Sequence, residues 1–158
     1  RTDAKMYPPL RAESDRLAVR KALADGVIDT IGSDHAPHAA YEKAVEFHNA
    51  PNGVIGLETT LPLALNLVRD GVIEWSQLVR CLSVNPAAVI GVDRGHLSVG
   101  AVADLTVIDP KQSWVVDRDT TRSKSINTPF LGKTMTGRAT ACIIGGHVLM
   151  EAGRLEAT

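Results

Sequence analysis

The stretch Asp25-Gly26-Val27-Ile28-Asp29-Thr30-Ile31-Gly32-Ser33-Asp34-His35-Ala36-Pro37-His38 decides how the chain is read. Just before it, residues 13–25 carry Leu17, Ala18, Val19, Ala22 and Leu23 among Arg16, Arg20 and Lys21. That spacing, close to 3.6, predicts a helix ending at Gly26. Pro8 and Pro9 bar helix further upstream. The β-branched run after the glycine, residues 27–33, predicts a strand. A helix and a strand joined by one glycine form the αβ half of a parallel βαβ unit, which makes the class α/β.

Working outward, residues 35–52 bring a proline, two more histidines and the charged Tyr41-Glu42-Lys43 before closing on Ala50-Pro51-Asn52-Gly53. This is long for a βα connection, and long loops in compact domains tend to carry function. Residues 57–68 predict an apolar helix closed by Arg69-Asp70-Gly71, and residues 74–82 predict another. Asn85-Pro86, asparagine at the cap and proline at the first helical position, opens a short third helix through Ile90. After Gly91-Val92 the pattern turns to β: a strand follows the Gly100 turn up to Pro110, residues 114–116 form another, and residues 141–144 and 147–150 flank Gly145-Gly146 as a hairpin. The α/β portion holds one clear strand, whereas a (β/α)8 barrel takes about 250 residues, so it must borrow the rest.

Composition narrows the function. At 44% hydrophobic and 22% charged, the 158 residues suit one globular core that buries roughly 70% of the unfolded surface. With 17 basic against 18 acidic side chains and a net charge of −1, nothing marks nucleic acid or an anionic membrane as a partner. The apolar stretch 61–68 is about half a bilayer span, and no signal segment opens the chain, so a soluble, cytoplasmic protein is expected. Cys81 and Cys142 lie apart inside apolar patterns and read as reduced core thiols. The chain opens on Arg1 in what reads as the middle of a structured segment, as a piece of a larger chain would.

Chemistry concentrates at the end of the predicted strand, the edge where α/β folds bind ligands. Asp34 shares the phase of Ile28, Thr30 and Gly32, so an inward face carries its carboxylate to the barrel mouth. There it can ligate a metal, accept a proton, or both; the alternative is that it caps the following turn. His35 falls on the opposite side and reads as a structural hydrogen bonder. Pro37 keeps His38 near the strand end, where an imidazole can bind an anionic substrate group; the alternative is a surface loop histidine. Gly53 leaves N–H groups free to approach a carboxylate, although Ala50-Pro51-Asn52-Gly53 equally suits an ordinary turn. His48, His96 and His147 lack partners at ligand spacing and read as structural or solvent-facing.

Four stretches carry a resemblance: Lys5-Met6-Tyr7-Pro8-Pro9-Leu10-Arg11; Asp25 to Asp29; Ser33-Asp34-His35-Ala36-Pro37-His38; and Ala50-Pro51-Asn52-Gly53-Val54-Ile55-Gly56-Leu57-Glu58-Thr59. Together they resemble the C-terminal portion of a class I dihydroorotase. The tail, with Gly100 to Asp109, Asn127-Thr128-Pro129-Phe130-Leu131-Gly132 and Ile144-Gly145-Gly146-His147-Val148, is similar to the closing β domain of the amidohydrolase superfamily. The resemblance implies the last part of a (β/α)8 TIM-type barrel over residues 1–92 and a small β-rich domain of β-sandwich type over residues 93–158.

It also implies a zinc-dependent cyclic amidohydrolase that interconverts N-carbamoyl-L-aspartate and L-dihydroorotate in de novo pyrimidine (UMP) biosynthesis. Asp34 would be metal ligand and proton shuttle, passing a proton to the departing ring nitrogen during hydrolysis. His38, with Ala36 and the Pro51, Asn52 and Gly53 turn, would bind the substrate carboxylate, and Arg11 could support the site. The family's other ligands, a His-x-His pair among them, are not in these residues. Zinc, two ions per complete site, and turnover are therefore expected only with the missing N-terminal part of the barrel. The other implied partners are the small-molecule substrate, further copies in a homo-oligomer, and aspartate carbamoyltransferase.

One position departs from the family: Tyr7 stands where many members carry a substrate-binding asparagine, and a phenol lacks the amide's paired donor and acceptor. Hydantoinase, dihydropyrimidinase and allantoinase are the competing enzymes, which usually lack the Ala-Pro-His after Asp-His. A non-catalytic homologue serving as a scaffold for aspartate carbamoyltransferase is the competing reading of another class.

Overall fold

The amphipathic pattern of residues 13–25 folds as α1, Glu13–Ala24, in a computed structural model that describes residues 1–155. The Asp15 carboxylate accepts the Ala12 N–H at 3.2 Å, an acidic group in the first turn where the helix dipole favours it. Past the other end Gly26 takes φ +73°, and the Gln77 amide donates to the carbonyls of Leu23 (2.6 Å) and Ala24 (3.4 Å), satisfying last-turn acceptors.

Residues 27–33 do not form the expected laddered strand. A parallel ladder needs a neighbouring strand, and the segment's surroundings provide a single parallel bridge, His35 to Val54. A helical stretch holds the segment instead. Helix α4, Trp75–Val79, runs through a π turn, Arg80–Val84, into α5, Asn85–Ile90, where two separate helices were expected. The Asn85 N–H reaches back five residues to the Arg80 carbonyl. The next carbonyl in that register, Cys81, would require an N–H from Pro86, which has none. It accepts the Ile31 N–H at 3.0 Å. Asn85 is therefore not a helix cap; its side chain donates to the Asp29 carbonyl at 2.8 Å and fixes the same segment.

The long loop contains a short helix that the sequence reading missed, α2, Ala40–Lys43, whose Ala39 N–H is capped by Glu42 at 2.7 Å. Helix α3, Thr60–Arg69, starts later than expected because the Gly56 carbonyl first accepts the N–H groups of Thr59 and Thr60 and the Thr60 hydroxyl.

The remainder is one antiparallel sheet of four strands in sequence order: β1, Leu105–Val115; β2, Thr134–Ile144; β3, His147–Glu151; and β4, Arg154–Leu155. The two short strands expected before residue 117 are one strand, β1, with an irregularity between Asp109 and Ser113. Pro110 donates no ladder bond there, and Asp109 Oδ1 accepts the N–H groups of Lys111 and Gln112 at 2.8 and 3.2 Å. The expected hairpin joins β2 and β3, with φ +57° at Gly145 and +84° at Gly146, both in the sense a two-residue hairpin turn requires.

Helix α3 binds these parts together. Leu65 sits in a core with Leu23, Ile73, Leu78 and Cys81, while Leu63 packs on Trp114, Val116 and Met135 of the β portion. Arg69 donates to the Thr136 carbonyl of β2 at 3.1 Å. The close approach needs Gly137: its φ is +97°, and a Cβ there would lie 2.2 Å from Leu65 Cδ1. The boundary expected near residue 92 is thus crossed by packing. Accessible surface totals 10269 Å², about a third more than the roughly 7,700 Å² of a compact monomer of this mass.

Gly137→Ala should lower stability by about 2 kcal/mol, from backbone strain together with displacement of Leu65. Urea unfolding checks it; adding Leu65→Ala should not restore the wild-type midpoint, because the positive φ persists.

Candidate functional site

From residue 30 the segment alternates, with Thr30, Gly32 and Asp34 exposed and Ile31, Ser33 and His35 partly covered. Asp34 takes φ +44°, a left-handed conformation that aspartate tolerates better than most residues. The chain then turns so that His35 bridges Val54 and the Ala36 N–H donates to the Val54 carbonyl at 3.0 Å. The Asp34 carboxylate makes no hydrogen bond among the described residues, so it is not the cap of a turn. His35 is the structural hydrogen bonder expected: its Nδ1 accepts the N–H groups of Gly56 (3.1 Å) and Leu57 (3.4 Å).

His38 reaches the other end of the loop. Its Nε2 lies 2.9 Å from the Asn52 carbonyl oxygen and its Nδ1 lies 3.5 Å from Glu42. An anion approaching this imidazole must therefore displace the Asn52 carbonyl or the Glu42 carboxylate. Gly53 fits beneath the ring with φ +137°, and a Cβ there would stand 2.7 Å from Ala36 Cβ and 2.9 Å from His38 Nε2. Ala36, His38, Asn52 and Gly53 are thus brought together. Asp34 and Gly53 line an apolar cavity of about 630 Å³, whereas His38 opens onto another of about 700 Å³ beside Lys43, Arg118 and Lys124. Arg11 is exposed and makes no hydrogen bond to these groups among the described residues, and Tyr7 is 76% exposed.

Two lysines hold the turn from behind, and the sequence reading found neither. Lys5 Nζ donates to the carbonyls of His48 (2.9 Å) and Ala50 (2.7 Å), and its own carbonyl accepts the Gly53 N–H at 3.0 Å. Lys43, read as part of a charged stretch, is buried, and its Nζ donates to Pro51 (2.8 Å) and Thr2 (3.3 Å) carbonyls. Burial pushes its pKa below the ordinary lysine value; nearby Asp3 works against this and Lys5 adds to it. Buried Asn127 completes the site, bonding Ala36, His38, Gly53 and Ile55. Residues 127–132 carry part of the resemblance, but nothing in one sequence gives Asn127 this role, since the loop groups its side chain bonds lie 74 to 91 residues away.

An amidohydrolase family model matches residues 6–149. The chain is 53% identical to the dihydroorotase of Geobacter sp. strain M21 over 152 residues, 96% of this chain and 36% of that protein. Identity to the dihydroorotase of Pelobacter propionicus is 54% over 148 residues, 94% of this chain and 35% of that one. The chain thus spans about a third of the length of the curated relatives it matches. Among solved structures, the L-hydantoinase (dihydropyrimidinase) of Arthrobacter aurescens superposes with a TM-score of 0.89 at 34% identity, covering 97% of this chain and 35% of that one.

Because the folded pKa of Lys43 lies below 10.5, the unfolded chain binds more protons in the window between the two values. Stability should therefore rise with pH through that window. In Lys43→Met this component of the rise should vanish, as urea midpoints taken across the alkaline range would show.

Proposed function

The chain belongs to the amidohydrolase family, and on that premise we propose that it is the substrate-carboxylate and proton-shuttle part of a dihydroorotase. The full enzyme would interconvert N-carbamoyl-L-aspartate and L-dihydroorotate in pyrimidine biosynthesis. The observation that carries the reading is the meeting of Ala36 and His38 with the Asn52-Gly53 turn, in a chain 53% identical to a protein named dihydroorotase. The hydantoinase likeness is at lower identity, and an uncharged ring gives a histidine at position 38 no anion to bind.

Residues 1–92 would form the last part of a (β/α)8 barrel and residues 93–158 the closing β domain. The described residues contribute one sheet to the expected sandwich. Asp34 offers a single exposed carboxylate, and among the described residues no three His, Cys, Asp or Glu side chains cluster to hold a metal. A zinc site takes about four ligands, so Asp34 would be one donor and the other ligands would come from the rest of the barrel. When bound, the metal supplies Lewis acidity at the ring carbonyl and makes water more acidic. In ring opening, Asp34 accepts the proton from the attacking water and returns it to the leaving ring nitrogen. His38 and the Asn52 N–H would orient the substrate carboxylate within the Pro51, Asn52 and Gly53 turn; Pro51 has no N–H, and that of Gly53 is bonded to the Lys5 carbonyl. A cytoplasmic homo-oligomer, with aspartate carbamoyltransferase as a partner, completes the proposal.

In the full-length enzyme, Asp34→Asn should keep the fold and lower kcat by at least about a hundredfold, since an amide cannot shuttle the proton. His38→Ala should raise KM for dihydroorotate with metal content unchanged. Equal loss of metal and activity would move His38 into the coordination shell, and faster turnover of hydantoin, dihydrouracil or allantoin than of dihydroorotate would sink the substrate assignment.

A further inference from the structure

We infer that Asn127 is a positioning residue for the proposed substrate-carboxylate site, holding the His38 peptide and the Gly53 turn in register from the β portion of the chain. The inference rests on the reading of His38 given above. The evidence is the pattern of bonds made by one buried side chain. Asn127 is 4% exposed. Its Oδ1 accepts the His38 N–H at 3.1 Å, and its Nδ2 donates to the carbonyls of Ala36 (3.0 Å) and Gly53 (3.1 Å). Both amide donors are used, and the amide oxygen takes a main-chain N–H. The Asn127 carbonyl also accepts the Ile55 N–H at 3.1 Å. The Ser125 hydroxyl closes the frame: its single proton is shared between the His38 carbonyl and Asn127 Oδ1, which both lie within its reach.

Both edges of the His38 peptide are therefore held by residues 125–127, and the two loop strands that must meet are bridged by a single NH2 group. Only an amide of this length supplies a donor pair and an acceptor pair at one buried point. Aspartate would present an acceptor to two carbonyls, and leucine would leave three main-chain groups unpaired. Gly53 cannot drift without opening the space beneath the His38 ring, because the two are in close contact. Loss of the clamp should therefore move the imidazole and the turn apart and weaken anion binding. It should leave the proton shuttle intact, because Asp34 has no bond to Asn127.

The test is Asn127→Ala and the milder Ser125→Ala in the full-length enzyme, read by steady-state kinetics on dihydroorotate, metal content and amide hydrogen exchange at His38. Asn127→Ala should raise KM about tenfold with kcat within about threefold, leave metal content unchanged and speed exchange at His38. Ser125→Ala should shift the same quantities in the same direction by less, and it keeps the test open if Asn127→Ala does not fold. Unchanged exchange in both variants overturns the clamp itself. Faster exchange with unmoved KM instead overturns the assignment of His38 to the substrate carboxylate, and the role of Asn127 with it. A fall in kcat and metal content at constant KM would reduce Asn127 to a general structural residue.

Discussion

The side-chain amide of Asn127 is the constraint on which the arrangement of the site depends. The segments it joins, residues 35–38 and residues 53–55, share a single parallel bridge among the described residues, His35 to Val54. Main-chain groups that leave water must find partners, and where no ladder provides them, side chains must. Lys5, Lys43, His35, Glu58 and Ser125 all do the same kind of work, each bonding main-chain atoms of a loop. Asn127 differs in serving both segments at once. The loops can then be irregular in backbone and still fixed in place, which a site built on loops requires.

Local order was legible wherever local physics decides it. The α1 pattern has its polar and apolar residues at helical spacing, and Gly145-Gly146 carries the positive φ values of a tight hairpin within two residues. Residues 27–33 misled for the opposite reason: their β-branched composition is real, but a strand exists only with a neighbour to pair with. The first half of β2, Thr134-Met135-Thr136-Gly137-Arg138, gave no signal, because a glycine inside a strand reads as a breaker. Here it is present because Leu65 occupies the space its side chain would take. The continuity of α4 into α5 was hidden likewise, since Asn85-Pro86 has the form of a helix start and only the docking of residues 29–31 shows its other use.

The site divides along the same line. Asp34 and His38 stand out by residue type beside a β-branched run, whereas Ala36 and the Pro51 to Gly53 turn are named through the family resemblance. The groups that hold them in place could not be recognised as such. Asn127 is an ordinary asparagine until the chain has returned across α3 and the sheet, and Lys43 looks like a solvated charge until Thr2 and Pro51 close over it.

The two cavities give the division a chemical sense. Asp34 faces the apolar cavity together with Thr30, Gly32, Ile55 and Phe130, while His38 faces Lys43, Arg118 and Lys124 in the other. Gly53 lines the first and packs against His38 of the second, so closely that an added carbon would stand 2.9 Å from Nε2. Asp34 is exposed at the edge of the first, and His38 has the Glu42 carboxylate beside it as well as the three cations. On the proposed function, a substrate with its reacting ring on the Asp34 side and its carboxylate at the turn would lie across Gly53, the residue whose position Lys5, Lys43 and Asn127 fix from behind.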